Sequence, residues 1–196
     1  MLLCLIAAVL EMDTTYAVQS LVSRPVLSGP LLGWLCGDIL AGVQVGIFAE
    51  LLLADISPLG GIIPPSGVTV CAVTLALNSL GVPPYFGFFL AVLCSIVFAH
   101  ADAWQRKTRA RWIALLQARL SRKPADIKGP IMASLGFSFL TAFLAISILV
   151  WGSARLALWA LPILPPKMHV TLGLAYAAVP WIGLAALVPA FRLKTR

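Results

Sequence analysis

The sequence of 196 residues is poor in charge and in the side chains that usually carry chemistry. Charged residues make up 11% of the chain, seven of them acidic, and there are only two histidines and four cysteines. The cysteines are Cys4, Cys36, Cys71 and Cys94. They stand singly in apolar surroundings, without the paired spacing of a metal site or a disulfide framework. We therefore expect them to be packing residues, and we expect neither a metal nor a cofactor.

The two histidines, His100 and His169, each lie near the end of an apolar segment and have no carboxylate close by in the sequence. A phosphoacceptor is normally a histidine or a cysteine in a polar, accessible setting. The sequence also lacks a paired nucleophile and base. These features disfavour a small membrane enzyme, and we predict that the chain is not an enzyme.

Apolar residues are abundant, because 61% of the chain is hydrophobic and the mean hydropathy is +1.00. Such a composition is typical of an integral membrane protein, in which a spanning helix needs about 20 residues. We predict an all-α fold with one membrane domain over residues 1–196 and about six or seven membrane segments. Because the 15 glycines and 14 prolines cluster, some of these segments are expected to be broken or re-entrant.

Turn signals between the apolar stretches give approximate bounds for the segments. The second and third are short for a full span, which predicts two half-helices that pack against each other. Gly60-Gly61 and Pro64–Gly67 predict a turn-rich connection, and Pro180 and Pro189 predict a kink or an end in the last segment. The predicted segments are 1–22, 25–39, 41–53, 68–80, 85–99, 131–151 and 170–191.

Positive charge is concentrated between residues 104 and 128, which hold eight of the 14 lysines and arginines. Cytoplasmic loops of membrane proteins carry such an excess. We predict that 102–128 form a basic cytoplasmic loop and that the C-terminus lies on the same side. An amphipathic helix before Pro124 would serve either as a topology anchor or as a docking surface for a cytoplasmic partner. No fold is present that would offer these charges to a groove, so we predict no nucleic-acid partner.

Two acidic residues, Asp38 and Glu50, stand inside a glycine-punctuated apolar stretch. An ionisable group at bilayer depth costs roughly 2.5–3.5 kcal/mol and is a functional candidate by default. Glu50 has three apolar residues on either side and is the stronger candidate. Asp38 either contacts a ligand or caps the next half-helix.

The stretch from Ser23 to Pro65 resembles the membrane subunit IIC of the mannose/fructose/sorbose family of the bacterial sugar phosphotransferase system. Asp13 also falls where that family tends to carry an acidic residue. The resemblance rests on Ser23-Arg24-Pro25, Gly29-Pro30-Leu31-Leu32-Gly33, Gly37-Asp38, Gly42, Gly46, Glu50-Leu51-Leu52, and the turn from Gly60-Gly61 to Pro64-Pro65.

This resemblance implies a permease subunit in the bacterial cytoplasmic (inner) membrane that acts as part of an oligomer. Such a subunit binds and translocates a hexose together with a homologous membrane subunit, IID. Cytoplasmic IIA and IIB subunits relay phosphate from phosphoenolpyruvate to the arriving sugar. Phosphorylation in the family occurs on those partners.

A hexose presents vicinal hydroxyls, and a carboxylate accepts two hydrogen bonds from such a pair with charge-assisted strength. Glycines at 37, 42 and 46 would let ligand and backbone approach closely, and Arg24 would orient a carboxylate. The predicted substrate-binding residues are Glu50, Asp38, Asp13, Arg24, Pro65 and Ser66. Two alternatives stay open: Asp13 and Arg24 form a plain interhelical ion pair, and the Pro65-Ser66 turn is only structural.

The chain also departs from the family pattern. It is shorter than is usual there, Asp55 stands where a glycine is common, and Ser66 replaces a more usual acidic or amide residue. The alternative function is therefore a non-transporting membrane scaffold or sugar sensor built on the same fold.

Overall fold

A computed structural model describes residues 1–15, 21–54, 63–120 and 128–192. Within these ranges the chain forms seven α-helices and no strand, which confirms the predicted all-α class. A 3₁₀ turn, Leu161–Ile163, joins the last two helices. The helices are α1 (Leu2–Thr15), α2 (Pro25–Cys36), α3 (Ile39–Leu53), α4 (Gly67–Ser79), α5 (Pro84–Leu120), α6 (Lys128–Ala160) and α7 (Pro166–Arg192).

Helix length divides the described bundle into two groups. The spans Pro84–Ala114, Lys128–Ile163 and Pro166–Leu187 are long and apolar enough to cross a membrane. Helices α2, α3 and α4 are apolar but hold only 12, 15 and 13 residues. They measure about 18 to 23 Å, less than the roughly 30 Å of a hydrocarbon core. The predicted pair of short, mutually packed helices is confirmed as α2 and α3.

A two-residue turn joins α2 to α3 and makes them an antiparallel hairpin. Gly37 has a φ of 82°, a left-handed conformation that glycine adopts without steric cost. The Gly37 N–H donates to the Trp34 carbonyl over 3.2 Å, and the Asp38 N–H donates to the Gly33 carbonyl over 2.9 Å. The Asp38 carboxylate then accepts from the Ala41 N–H over 2.9 Å and caps α3. Both helix ends are therefore satisfied within the turn.

Four glycines hold the hairpin together. A Cβ added to Gly33 would lie 2.7 Å from the Gly42 Cα, and one added to Gly29 would lie 2.8 Å from the Gly46 Cα. The two backbones are thus in direct contact, as in small-xxx-small helix pairs of membrane proteins. We predicted that Gly42 and Gly46 would admit a ligand, but the space beside them is filled by α2.

Helix α4 forms the centre of the bundle. All of its residues from Val68 to Leu77 are buried, and it packs against α1, α2, α3, α5 and α6. A helix this short that is apolar on every side is stable at membrane depth because other helices surround it. The ring of Pro25 occupies the space where Gly67 would carry a Cβ, so α2 and α4 begin side by side.

The basic segment is helical through Leu120, as the predicted helix before Pro124 requires, but this helix is continuous with the preceding span instead of following a loop. Helix α5 continues without interruption through Leu120, and residues 121–127 lie outside the described ranges. The physical reason is that no glycine or proline occurs between Gly87 and Pro124, while Asp102 and Arg106 form an ion pair one turn apart along the helix. At 37 residues, α5 is about 55 Å long and exceeds a membrane thickness.

Two helix ends also differ. Leu21, with a φ of 66°, and Val22 lie in a turn before α2 rather than in α1, and Pro25 disfavours helix at the residue before it. Helix α7 continues past Pro180, so of the predicted kink or end the end does not occur there. The predictions at Asp55, Gly60 and Gly61 lie outside the described residues.

We predict that Gly42→Ala destabilises the protein by about 1–3 kcal/mol, because the new methyl group meets α2 backbone that has no room to move. Gly152→Ala on α6 is the matched control, since its Cβ would meet nothing within 4 Å. Thermal unfolding of the purified protein in detergent measures the difference. Equal midpoints for the two variants would contradict backbone contact as the force holding the hairpin.

Candidate functional site

A polar cavity of about 370 Å³ lies where α1, α4 and α5 meet. Its volume is within the range of small-molecule sites. The wall combines ionisable and hydroxyl side chains with apolar ones. The lining residues are Glu11, Thr14, Ser23, Ile63, Pro64, Pro65, Ser66, Gly67, Val68, Phe98, Ala99, Asp102 and Arg106.

Glu11 is the most deeply buried acid of the cavity, with 7% of its surface exposed. Its Oε1 accepts hydrogen bonds from the hydroxyls of Ser66 and Thr69, the second over 3.3 Å. The Ser66 hydroxyl oxygen also accepts the Thr69 N–H over 3.1 Å and caps α4. Both described hydrogen bonds to the Glu11 carboxylate go to Oε1. The carboxylate is therefore held in place, while its Oε2 receives neither of them.

The opposite wall comes from α5. Asp102 Oδ2 accepts from the Nε and the Nη2 of Arg106, each over 2.8 Å. Asp102 and Arg106 therefore offer the cavity an acceptor and a donor that hold each other in position. Phe98, Val68 and Ile63 add apolar surface beside them. The cavity can thus accept hydrogen bonds, donate them and cover an apolar ligand face.

A second, more open cavity of about 540 Å³ adjoins the first. It is lined by Asp13, Thr14, Leu21, Ser23, Arg24 and Pro25. Thr14 and Ser23 line both cavities, so the two are neighbours across these residues. The Asp13 Oδ2 accepts the Ser23 N–H over 3.2 Å, which ties the turn before α2 to the end of α1.

Glu50 and Arg24 form an ion pair beside this second cavity. Arg24 Nη1 lies 2.7 Å from Glu50 Oε1, and the side chains are 61% and 24% exposed, respectively. Glu50 Oε2 is buried and has no hydrogen-bond partner in the described part of the chain, and the same holds for the Ser28 hydroxyl. A buried acceptor without a partner is costly. Glu50 therefore has one oxygen fixed by arginine and one available to a donor.

The structure brings five of the six predicted site residues together and separates the sixth. Asp13, Arg24, Pro65 and Ser66 line the two adjoining cavities, and Glu50 is held by Arg24. The described ion pair of Arg24 is with Glu50 and not with Asp13.

Asp38 lies at the other end of α3. It is twelve positions from Glu50, or about 18 Å along the helix, and it caps that helix. One hexose cannot contact both acids.

Sequence reasoning missed four residues of the site: Glu11, Thr69, Asp102 and Arg106. Glu11 lies between Leu10 and Met12 in an apolar helix, so the rule that favoured Glu50 applies to it equally. Asp102 and Arg106 have the spacing of a helical ion pair, but they were assigned to a loop. Thr69 carries no signal of its own, because threonine is common in membrane helices.

The fold and the cavities define a polytopic membrane protein with a polar site inside an apolar helical bundle. A family model described as "PTS system sorbose-specific iic component" matches residues 1–194, and the chain belongs to this family. This confirms the resemblance found in the sequence. Both this description and that of the relative below name a IIC component rather than an enzyme.

The chain is also similar to "Putative N-acetylgalactosamine permease IIC component 2" of Escherichia coli (strain K12). The two are 35% identical over 71 residues, which is 35% of this chain and 53% of the relative. The chain thus spans about half the length of the curated relative it matches.

We predict that Asp38→Asn leaves the stability nearly unchanged, because asparagine caps helices about as well as aspartate, while Asp38→Ala costs about 0.5–2 kcal/mol. Thermal unfolding of both variants in detergent tests the capping role. Equal losses for asparagine and alanine would show that the negative charge of Asp38, and not its cap, is what the protein requires.

Proposed function

We propose that this chain is the IIC permease subunit of a phosphoenolpyruvate-dependent sugar phosphotransferase system. It binds a hexose in the cavity between α1, α4 and α5 and translocates it together with a IID subunit. The observation that carries the proposal is a cavity of about 370 Å³ with two carboxylates and an arginine inside an apolar bundle. Family membership supports it.

The chemistry of the cavity fits a sugar. Sugar hydroxyls donate to the carboxylates of Glu11 and Asp102, and the guanidinium of Arg106 donates to a ring or hydroxyl oxygen. The apolar face of the ring packs against Phe98 and Val68. The name of the similar E. coli protein makes N-acetylgalactosamine the first sugar to test.

Glu50 extends the site toward the open cavity. A sugar hydroxyl that donates to the buried Oε2 would satisfy an acceptor that otherwise has no partner among the described residues. Arg24 holds the other oxygen in position. Asp13, Pro65 and Ser66 then form the walls between the two positions.

The partners in this proposal are IID in the membrane and IIA and IIB in the cytoplasm, with the chain in an oligomer in the bacterial inner membrane. The basic end of α5 and the C-terminus face the cytoplasm, in accord with the distribution of positive charge. Phosphoryl transfer takes place on the partners. Neither histidine lines either cavity: His100 Nδ1 lies 2.8 Å from the Ile96 carbonyl, and His169 bonds to Tyr85.

We predict that Glu11→Gln and Glu50→Gln each weaken sugar binding about tenfold or more, because a neutral amide replaces a charge-assisted acceptor. Asp38→Asn is the matched control, since it also removes one negative charge from an apolar stretch but lies away from both cavities. Binding of candidate sugars to the detergent-purified protein and uptake in cells that supply IIA, IIB and IID are the two measurements.

Wild-type binding and uptake in both glutamate variants would contradict the assigned site. Loss of sugar binding in Glu11→Gln alone would restrict the sugar to the first cavity, between α1, α4 and α5. Loss of sugar binding in Glu50→Gln alone would place the sugar in the second, more open cavity. Sugar binding by the native protein without uptake, when all three partners are present, would favour the alternative of a non-transporting scaffold or sensor.

A further inference from the structure

One exposed face of α5 changes in character along its length. Positions spaced alternately by four and three residues lie on one side of a helix. On this side the exposed residues run from aliphatic through histidine and tryptophan to lysine and arginine. They are Leu93, Val97, His100, Trp104, Lys107 and Arg111. This order matches the passage of a helix from hydrocarbon through the interface into lipid headgroups.

The two cations at the end of this face are unpaired among the described residues. Lys107 and Arg111 are exposed and take part in no described hydrogen bond or ion pair. Their neighbours behave differently, since Arg106 binds Asp102 and Arg109 donates to the Ser138 hydroxyl over 3.0 Å. Side chains four residues apart on a helix are about 6 Å apart at Cβ, which suits two donors on one phosphodiester.

The apolar part of the same face supplies surface for an acyl chain. Leu93 and Val97 are 61% and 58% exposed, and they precede the two cations on the same side of α5. Trp104, which is 61% exposed, lies between them and the cations. Exposed aliphatic side chains in line with a pair of cations form a surface with a place for an acyl chain and one for a headgroup.

We propose that Trp104, Lys107 and Arg111, with Leu93 and Val97, form a binding site for an anionic phospholipid. The phosphodiester binds the two cations, the tryptophan lies at the interface, and an acyl chain packs against the aliphatic part of the same α5 face. The site is separate from the proposed sugar site. It therefore stands or falls independently of the proposed function.

Lipid binding to the full-length protein in detergent, measured by native mass spectrometry, tests the site. Phosphatidylglycerol is expected to bind the native protein more tightly than phosphatidylcholine. The double variant Lys107→Gln/Arg111→Gln is expected to lose about 30-fold in affinity for phosphatidylglycerol, since each surface cation contributes roughly fivefold to sixfold. Its affinity for phosphatidylcholine is expected to stay unchanged.

The matched control is Arg155→Gln/Lys167→Gln, which removes the same charge from exposed positions near the other end of the bundle, where Tyr85 meets His169. Unchanged phosphatidylglycerol binding in this control supports the site. Equal losses in the two double variants would reduce the effect to net charge and overturn the proposal. The proposal would also be overturned if the native protein did not prefer phosphatidylglycerol to phosphatidylcholine, or if inorganic phosphate bound as well as phosphatidylglycerol. Binding of phosphatidylglycerol to Lys107→Gln/Arg111→Gln with the affinity of the native protein would overturn it as well. If that variant binds lipid normally but no longer binds an acidic partner subunit, the surface would be reassigned to protein docking.

Discussion

The backbone contact between α2 and α3 is the constraint on which the rest of the structure depends. Because Gly29 and Gly33 meet Gly46 and Gly42 without intervening side chains, the two short helices form one closely packed unit. The antiparallel arrangement brings the start of α2 beside the end of α3, and this is what places Arg24 against Glu50. Pro25, which follows Arg24, packs onto Gly67 and places the start of α4 next to the Arg24–Glu50 pair. A wider spacing would leave Glu50 without its cation in apolar surroundings, where an unpaired charge is costly.

Glu11, which is buried, and Glu50, which is partly exposed, are stabilised by different means. Glu11 is fixed by two hydroxyls, one of which also caps α4, so the carboxylate and the helix end share a single serine. Glu50 is fixed by an arginine that remains more than half exposed. A group held by hydroxyls is a rigid part of the wall, whereas an ion pair with an exposed partner can rearrange at small cost. Glu11 is thus a fixed acceptor at the first cavity, and Glu50 is an adjustable one beside the second, more open cavity.

The sequence predicted the elements that depend on local patterns. The paired short helices follow from the lengths of the apolar stretches, and the structure confirms them. Their turn lies at Gly37-Asp38, inside the predicted second segment of 25–39. A helix before Pro124 was anticipated in the basic segment, but the high charge was taken as a sign that a loop separates this helix from the preceding span, although residues 102–120 contain no glycine or proline. For Asp38 the sequence favoured neither ligand contact nor helix capping. The structure favours capping, because the Asp38 carboxylate accepts the Ala41 N–H at one end of α3 while Glu50 lies at the other.

The sequence by itself determined the membrane class, the all-α fold, the family and some of the acidic candidates, since each follows from composition or from spacing along the chain. The tertiary structure decided which of those acids share a site. Glu11 meets Ser66 across 55 positions and Arg24 meets Glu50 across 26, and no local pattern encodes such distances. They arise from the way the helices pack: glycine lets α2 and α3 approach to backbone contact, and α4 is surrounded on every side. That packing gathers charges that are scattered through an apolar sequence into two adjoining polar cavities, and it places Asp38, which was predicted to share a site with Glu50, at the far end of the hairpin.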